Sequence, residues 1–270
     1  MFPFLQADAD HLPAVMDDNS GRWLTYGELK ELAIAWQERV AGPRGLIFAF
    51  VRNDIASVVT ILGAMSAGHP ITLFGAELGQ EARQNLIDIY KPEWVFDAED
   101  NSTVASSTLE HRFALHPSLS ILLSTSGSTG SPKLVRLTRE ALTANADAIA
   151  DALSIGSDDV AAGYLPLHYS YGLSVLTSHL SRGARIRLTE HGLTDRKFWS
   201  ALQESGVTHF PGVPFHYQVL TKLGLKRLQV ESVRTMTQAG GRLDLETRCL
   251  LHDFMTQRSG RFHVLYGQTE

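Results

Sequence analysis

The chain has 270 residues, 44% hydrophobic and 20% charged, and its 24 Lys plus Arg against 29 Asp plus Glu give a formal net charge of -5. This is ordinary globular usage, enough for one large core or two ordinary ones, and it excludes a disordered chain. No basic block invites nucleic acid, the single Cys249 permits no internal disulfide, and no apolar run approaches the roughly 20 residues of a membrane span.

Residues 1–6 lack the basic segment of a secretory signal, which makes the cytoplasm the expected compartment. Thr25-Tyr26-Gly27-Glu28 fits a capping box, and Leu29, Leu32, Ala33, Trp36 and Val40 follow at helical spacing up to Gly42. The unbroken apolar run 45–51 has the length of a strand buried on both faces, as in parallel sheets. Asp54 can cap a helix reaching Gly68, and strand 70–74, helix 80–90 and strand 93–97 complete a βαβαβ order. The chain turns polar over 98–117, the expected internal boundary.

The strand 120–123 then leads into Ser124-Thr125-Ser126-Gly127-Ser128-Thr129-Gly130-Ser131-Pro132-Lys133, ahead of a helix that opens near Thr138. A loop between strand and helix, rich in hydroxyls and with no Cβ at Gly127 or Gly130, suits an anion, and Lys133 adds positive charge. A Walker A loop would need Gly-Lys-Ser/Thr where Pro132, Lys133 and Leu134 stand, so this is not a P-loop NTPase. A flexible Ser/Gly linker is the plain alternative, but the loop is short and bracketed by apolar segments. Beyond it, helices 138–153, 171–180, 195–204, 214–223 and 243–255 alternate with strands 160–165, 184–188, 207–210, 234–238 and 262–266. Such alternation points to parallel sheets covered by helices, with ligands at the carboxyl ends of the strands. Cys249 lies in the last helix, where a buried, inert thiol is expected.

Three further stretches follow strands. His168, Tyr169 and Tyr171, in 165–174, could wall a substrate pocket or simply pack on the next helix. Gly240 and Gly241 would let backbone approach a flat ring, although a plain turn explains them almost as well. Tyr266, Thr269 and Glu270, in 266–270, could stack a base, bond a phosphate and hold Mg2+. His209, His216 and His252 lack metal-ligand spacing and read as structural or surface groups.

Taken in order, the segments 125–133, 165–172, 239–241 and 266–270 resemble the core motifs of the acyl-adenylate-forming (AMP-dependent synthetase/ligase) superfamily. It includes AMP-forming acyl-CoA synthetases, peptide-synthetase adenylation domains and firefly luciferase. Segments 24–29 and 65–70 match earlier motifs of that family, so the resemblance covers nearly the whole chain. It implies an α/β fold of two mostly parallel β-sheets, with helices packed between and around them in a layered αβαβα arrangement. It also implies ATP-dependent activation of a small carboxylic acid to acyl-AMP with release of pyrophosphate, then transfer to a thiol of CoA or of a carrier-protein phosphopantetheine arm. Under the resemblance, Thr125, Ser126, Gly127, Ser128, Thr129, Gly130 and Lys133 would hold the β- and γ-phosphates of ATP. Gly240, Gly241 and Tyr266 would line the adenine pocket, Thr269 would reach the α-phosphate, and Glu270 would ligate Mg2+. Tyr169 stands where many acyl-CoA synthetases carry a pocket-gating histidine and His168 where they carry an aromatic; Leu134 replaces a usual glycine.

The family continues past Glu270 with a ribose-binding Asp, a hinge and a small domain bearing a lysine. The chain is therefore expected to be an N-terminal part of the adenylating domain, inactive alone. An amino-acid adenylating enzyme and a non-catalytic ATP- or AMP-binding module are the alternatives. The stretch 165–174 lacks the Asp that amino-acid adenylation domains often place there, which favours an acid without an α-amino group.

Overall fold

The computed structural model describes residues 4–6, 8–105, 114–124, 133–225 and 230–269. In chain order the elements are β1 (Pro13–Met16), β2 (Leu24–Thr25), α1 (Tyr26–Gln37), β3 (Ile47–Val51), α2 (Ile55–Ala67), β4 (Ile71–Gly75), α3 (Gln80–Tyr90), β5 (Trp94–Asp97), β6 (Ser102–Ala105) and β7 (Leu119–Ser124). They continue with β8 (Leu134–Thr138), α4 (Arg139–Leu153), β9 (Val160–Gly163), α5 (Ser170–Leu180), β10 (Arg185–Leu188), α6 (Arg196–Glu204), β11 (His209–Gly212), α7 (Pro214–Leu223), β12 (Thr235–Gln238), α8 (Leu245–Gln257) and β13 (Arg261–Val264). Among the described residues no helix is long and apolar enough to cross a membrane.

The strands form a seven-stranded sheet, ordered β13-β12-β11-β9-β10-β1-β2, and a six-stranded sheet, ordered β6-β5-β3-β4-β7-β8. Strand β3 shows how the layers arise. Its five residues are all buried, and because side chains alternate across a strand they serve two cores. Ile47, Ala49 and Val51 join α1, α2 and α5 in a central layer that also meets Ile186 and Leu188 of the seven-stranded sheet. Phe48 and Phe50 face outward and pack with Phe74 and with Leu86 of α3. The far side of the seven-stranded sheet is covered by α6, α7 and α8 through Phe198, Tyr217 and Leu251. The result is the expected αβαβα layering, and interior strands such as β3 and β9 read as continuous apolar runs because both their faces are covered.

The sheets are mixed rather than purely parallel. Antiparallel strands β2, β6 and β8 sit at their edges. All three are only partly buried, so they lack the fully buried apolar runs of strands such as β3 and β9. Strand β8 alters one expectation: residues 125–132 link β7 to an antiparallel strand, and α4 begins only after it. The polar stretch 98–117 follows β5, includes β6 and ends just before β7, all of the six-stranded sheet, and the chain leaves that sheet after β8. Cys249 is exposed rather than buried. It lies two residues, or about 200° of helix, from Leu251, which faces the core.

The capping box at the head of α1 is formed as the spacing predicts: the Thr25 hydroxyl accepts from the Glu28 N–H at 3.2 Å, and the Glu28 carboxylate accepts from the Thr25 N–H at 2.8 Å. Replacing Thr25 by Ala is expected to lower unfolding stability by about 1 kcal/mol in urea titrations, with the slope unchanged.

Candidate functional site

In the seven-stranded sheet β13, β12, β11, β9, β10 and β1 are parallel, so their carboxyl ends share one edge. On that edge stand Tyr266 after β13, Gly240 and Gly241 after β12, Phe215 in the first turn of α7 after β11, and Tyr169 after β9. Tyr266 is 90%, Phe215 66% and Tyr169 49% exposed, unusual values for rings of this size. The edge thus presents three aromatic faces around a glycine turn.

That turn is shaped by close approach as well as by torsion. Gly240 has φ +78 and Gly241 φ +154, which disfavour any side chain. A Cβ on Gly240 would also lie 3.2 Å from Val213 Cγ1, and one on Gly241 3.3 Å from Pro214 Cγ. The Gln238 side chain donates to the Gly241 carbonyl at 2.8 Å and folds the turn back. Bare backbone beside open aromatic faces is a surface that a planar ring can fit.

The three residues expected around a substrate fall in different surroundings. His168 is buried, with Nε2 3.7 Å from Glu77 Oε1, in a cleft of about 330 Å3 between the two sheets that Arg52, Asn53, Tyr164 and Glu190 also line. Burial pulls its pKa down, the Glu77 carboxylate offsets part of this, and the ring is mainly neutral at pH 7. Tyr169 stands open at the edge, its ring 4.3 Å from that of His168. Tyr171 turns inward: its hydroxyl bonds the Thr237 carbonyl at 2.9 Å, and burial holds the phenol well above its ordinary pKa. It acts as a strut beneath the edge, together with Tyr217, which donates to the same carbonyl at 2.7 Å, and Tyr164, which donates to Pro211 O at 2.5 Å.

Thr269 and Gln268 line a cavity of about 210 Å3 with Ser170 of α5 and Leu123 of β7, the strand that leads into residues 125–132. The stretches 165–174 and 266–270, far apart in sequence, therefore meet beside Leu123 of β7. Lys133 is exposed just before β8. Thr125, Ser126, Gly127, Ser128, Thr129 and Gly130, expected at the phosphates, and Glu270, expected at Mg2+, lie outside the described residues. Two residues of the candidate site do not stand out in the sequence, Phe215 and Asn53. The first had a usable signal, since Pro214 at the start of α7 marks a strand-to-helix turn at the carboxyl end of β11. Asn53 had none, because its partners are more than a hundred residues away.

Residues 6–270 match the family model described as AMP-binding enzyme. The chain belongs to that family. A 2-succinylbenzoate–CoA ligase of Bacillus cereus is 29% identical over 241 residues, covering 81% of this AMP-binding chain and 49% of that ligase. The chain thus spans about half the length of the curated relatives it matches. Among solved structures, a malonyl-CoA ligase in a ternary product complex with methylmalonyl-CoA and AMP superposes with TM-score 0.78 at 24% identity, covering 100% of this chain and 61% of that one. VinN superposes with TM-score 0.76 at 21% identity, covering 96% and 71%. These likenesses show that the layered architecture is shared with both solved structures.

Proposed function

We propose that this chain is the nucleotide-gripping part of an enzyme that activates a small carboxylic acid with ATP, forming acyl-adenylate and pyrophosphate. The acyl group then passes to a thiol of CoA or of a carrier-protein phosphopantetheine arm. The observation that carries the reading is the cavity where Thr269, Ser170 and the strand entering 125–132 come together, beside the edge that holds Tyr266 and the Gly240–Gly241 turn. A carboxylate is a weak nucleophile, so the work of such a site is to align it with the α-phosphate and to stabilise the charge that develops there.

In this reading the backbone at Gly240 and Gly241 accepts the adenine, with Tyr266 against its face. Thr125 to Gly130 and Lys133 hold the β- and γ-phosphates, Thr269 donates to the α-phosphate, and Glu270 supplies a carboxylate for Mg2+, which neutralises phosphate charge when bound. His168 and Tyr169 flank the acid, and Tyr171 holds their loop from below. The neutral imidazole of His168 avoids placing a fixed cation where an acyl chain must pass.

The test is pyrophosphate exchange with a panel of carboxylic acids, in the natural protein that carries this chain. Exchange with at least one acid is expected, and ATP binding without exchange for any acid would favour a non-catalytic nucleotide module. Tyr266→Ala is expected to weaken ATP binding roughly tenfold, the loss of one ring-on-base contact of about 1–3 kcal/mol, read by titration calorimetry.

A further inference from the structure

Asn53 lies two residues past β3, at the carboxyl end of the six-stranded sheet, and is only 5% exposed. A buried amide in a loop between strand and helix needs partners, and those of Asn53 come from the other sheet. Its Oδ1 accepts from the Leu167 N–H at 3.2 Å, and its Nδ2 reaches the Thr189 carbonyl at 3.5 Å. Its own N–H donates to Glu190 Oε1 at 2.7 Å. The N–H of Leu167 can only donate and the carbonyl of Thr189 can only accept, so the two fix which way the amide points. Leu167 is the residue immediately before His168. The Tyr169 N–H donates to Pro166 O at 3.0 Å, closing a turn that joins Leu167 to His168 and Tyr169. Asn53 thus ties that loop to the six-stranded sheet by a direct hydrogen bond, beside the longer 3.7 Å contact of His168 with Glu77.

We propose that Asn53 is a positioning residue: by bonding Leu167 it sets where His168 and Tyr169 stand relative to the cleft between the sheets, and so governs how the acid is held. This rests on the reading that His168 and Tyr169 flank the acid. A merely structural role would lower stability and the amount of active protein while leaving the affinity for acid unchanged. A positioning role changes the KM for the acid, because a displacement of about 1 Å in a site-forming loop is enough to alter productive binding.

Two variants separate the bonds. Asn53→Leu removes both side-chain hydrogen bonds at similar size, whereas Asn53→Asp keeps the acceptor for Leu167 and loses the donor to Thr189. In Asn53→Leu the KM for the acid is expected to rise on the order of tenfold or more, with kcat and the KM for ATP within about threefold. Asn53→Asp, which keeps the acceptor for Leu167 but turns a carboxylate oxygen on the Thr189 carbonyl, is expected to raise the KM for the acid clearly less than Asn53→Leu does. A second readout needs neither activity nor a known acid. Amide exchange at Leu167 should accelerate, and the His168 imidazole resonances should shift, clearly more in Asn53→Leu than in Asn53→Asp. If the unmodified protein activates no acid, the proposed reaction fails, while the exchange and imidazole readouts still judge Asn53. Unchanged Leu167 exchange and unchanged His168 resonances in Asn53→Leu would overturn the positioning role. An acid KM unaffected in an active protein would overturn it equally.

Discussion

Replacing Gly172 by Ala is expected to destabilise the protein by about 3 kcal/mol or more, at or beyond the usual range for overpacking a core. Gly172 is the third residue of α5, where the helix turns under the loop behind β9. A Cβ there would sit 2.2 Å from Pro166 O, 2.7 Å from Leu165 O and 2.8 Å from Pro166 C. All three atoms are backbone, so no rotamer change relieves the clash, and loop and helix must separate. The displaced segment is the one that bears His168 and Tyr169, and its tie to Asn53 is strained with it. Under the proposed function, acid activation should fall along with stability. Denaturant titration followed by tryptophan fluorescence checks the first effect, and pyrophosphate exchange well below the midpoint checks the second. A loss under about 1 kcal/mol would mean that the loop yields more readily than close packing implies.

A large acid-linked loss of stability is expected between about pH 6.5 and pH 3, centred on His179. This residue, at the end of α5, is 3% exposed, with Nδ1 2.9 Å from Val175 O and its ring edge-on to His209 at 5.0 Å. Burial, assisted by the nearby His209, pushes its pKa down to about 3. The unfolded chain takes up a proton near pH 6.5 and the folded one does not until much lower. His179 therefore contributes stability that is present above about pH 6.5 and is lost as the pH falls through that window, by up to about 4 kcal/mol.

Asp159 lies beside this pair, with Oδ1 3.2 Å from His209 Nε2. Burial would raise its pKa, but hydrogen bonds from His209, the Gly156 N–H and Arg234 outweigh that and hold it well below the usual carboxylate range. Its own contribution is thus lost only below about pH 4, so the slope above that belongs to histidines. His69, His168, His216 and His263 are also lowered, chiefly by burial, and should leave a residual slope when His179 is removed. His179→Leu, which replaces the ring with an apolar side chain, is expected to flatten the decline in unfolding free energy between pH 6.5 and pH 4 by several kcal/mol. Urea titrations at half-unit pH steps measure this, and an unchanged slope would place the proton uptake elsewhere.

Much of the layered fold and the order of its motifs could be read locally. Thr25 and Glu28 specify a helix start that needs nothing beyond its own turn, and Asp54 caps α2 at Ser57 N in the same way. The run Ile47–Val51 announces two-sided burial because five consecutive apolar residues fit no other strand environment so well. The Gly240–Gly241 turn and the Tyr266 stretch could be placed behind strands for the same reason. Edge strands were not legible in this way: β2, β6 and β8 hold few buried side chains, and their existence depends on a neighbour to pair with.

What depended on the folded whole was which strands meet. A period of two marks a strand but is the same whatever its partner, so nothing local says that β1 pairs with β10, some 170 residues later, or that β11 lies between β9 and β12. That order is what sets Tyr266, the glycine turn, Phe215 and Tyr169 along one edge. Side-chain direction was equally non-local. Tyr169 and Tyr171 are two residues apart, yet one ring is open to solvent and the other is bound to Thr237, because α5 begins between them and turns the second ring inward to β12. Local periodicity settled the helices, most interior strands and the order of the motifs, but not the edge strands. Contacts between distant segments, Asn53 with Leu167 above all, decided the geometry of the site, because only the packed sheets bring those groups within hydrogen-bond reach.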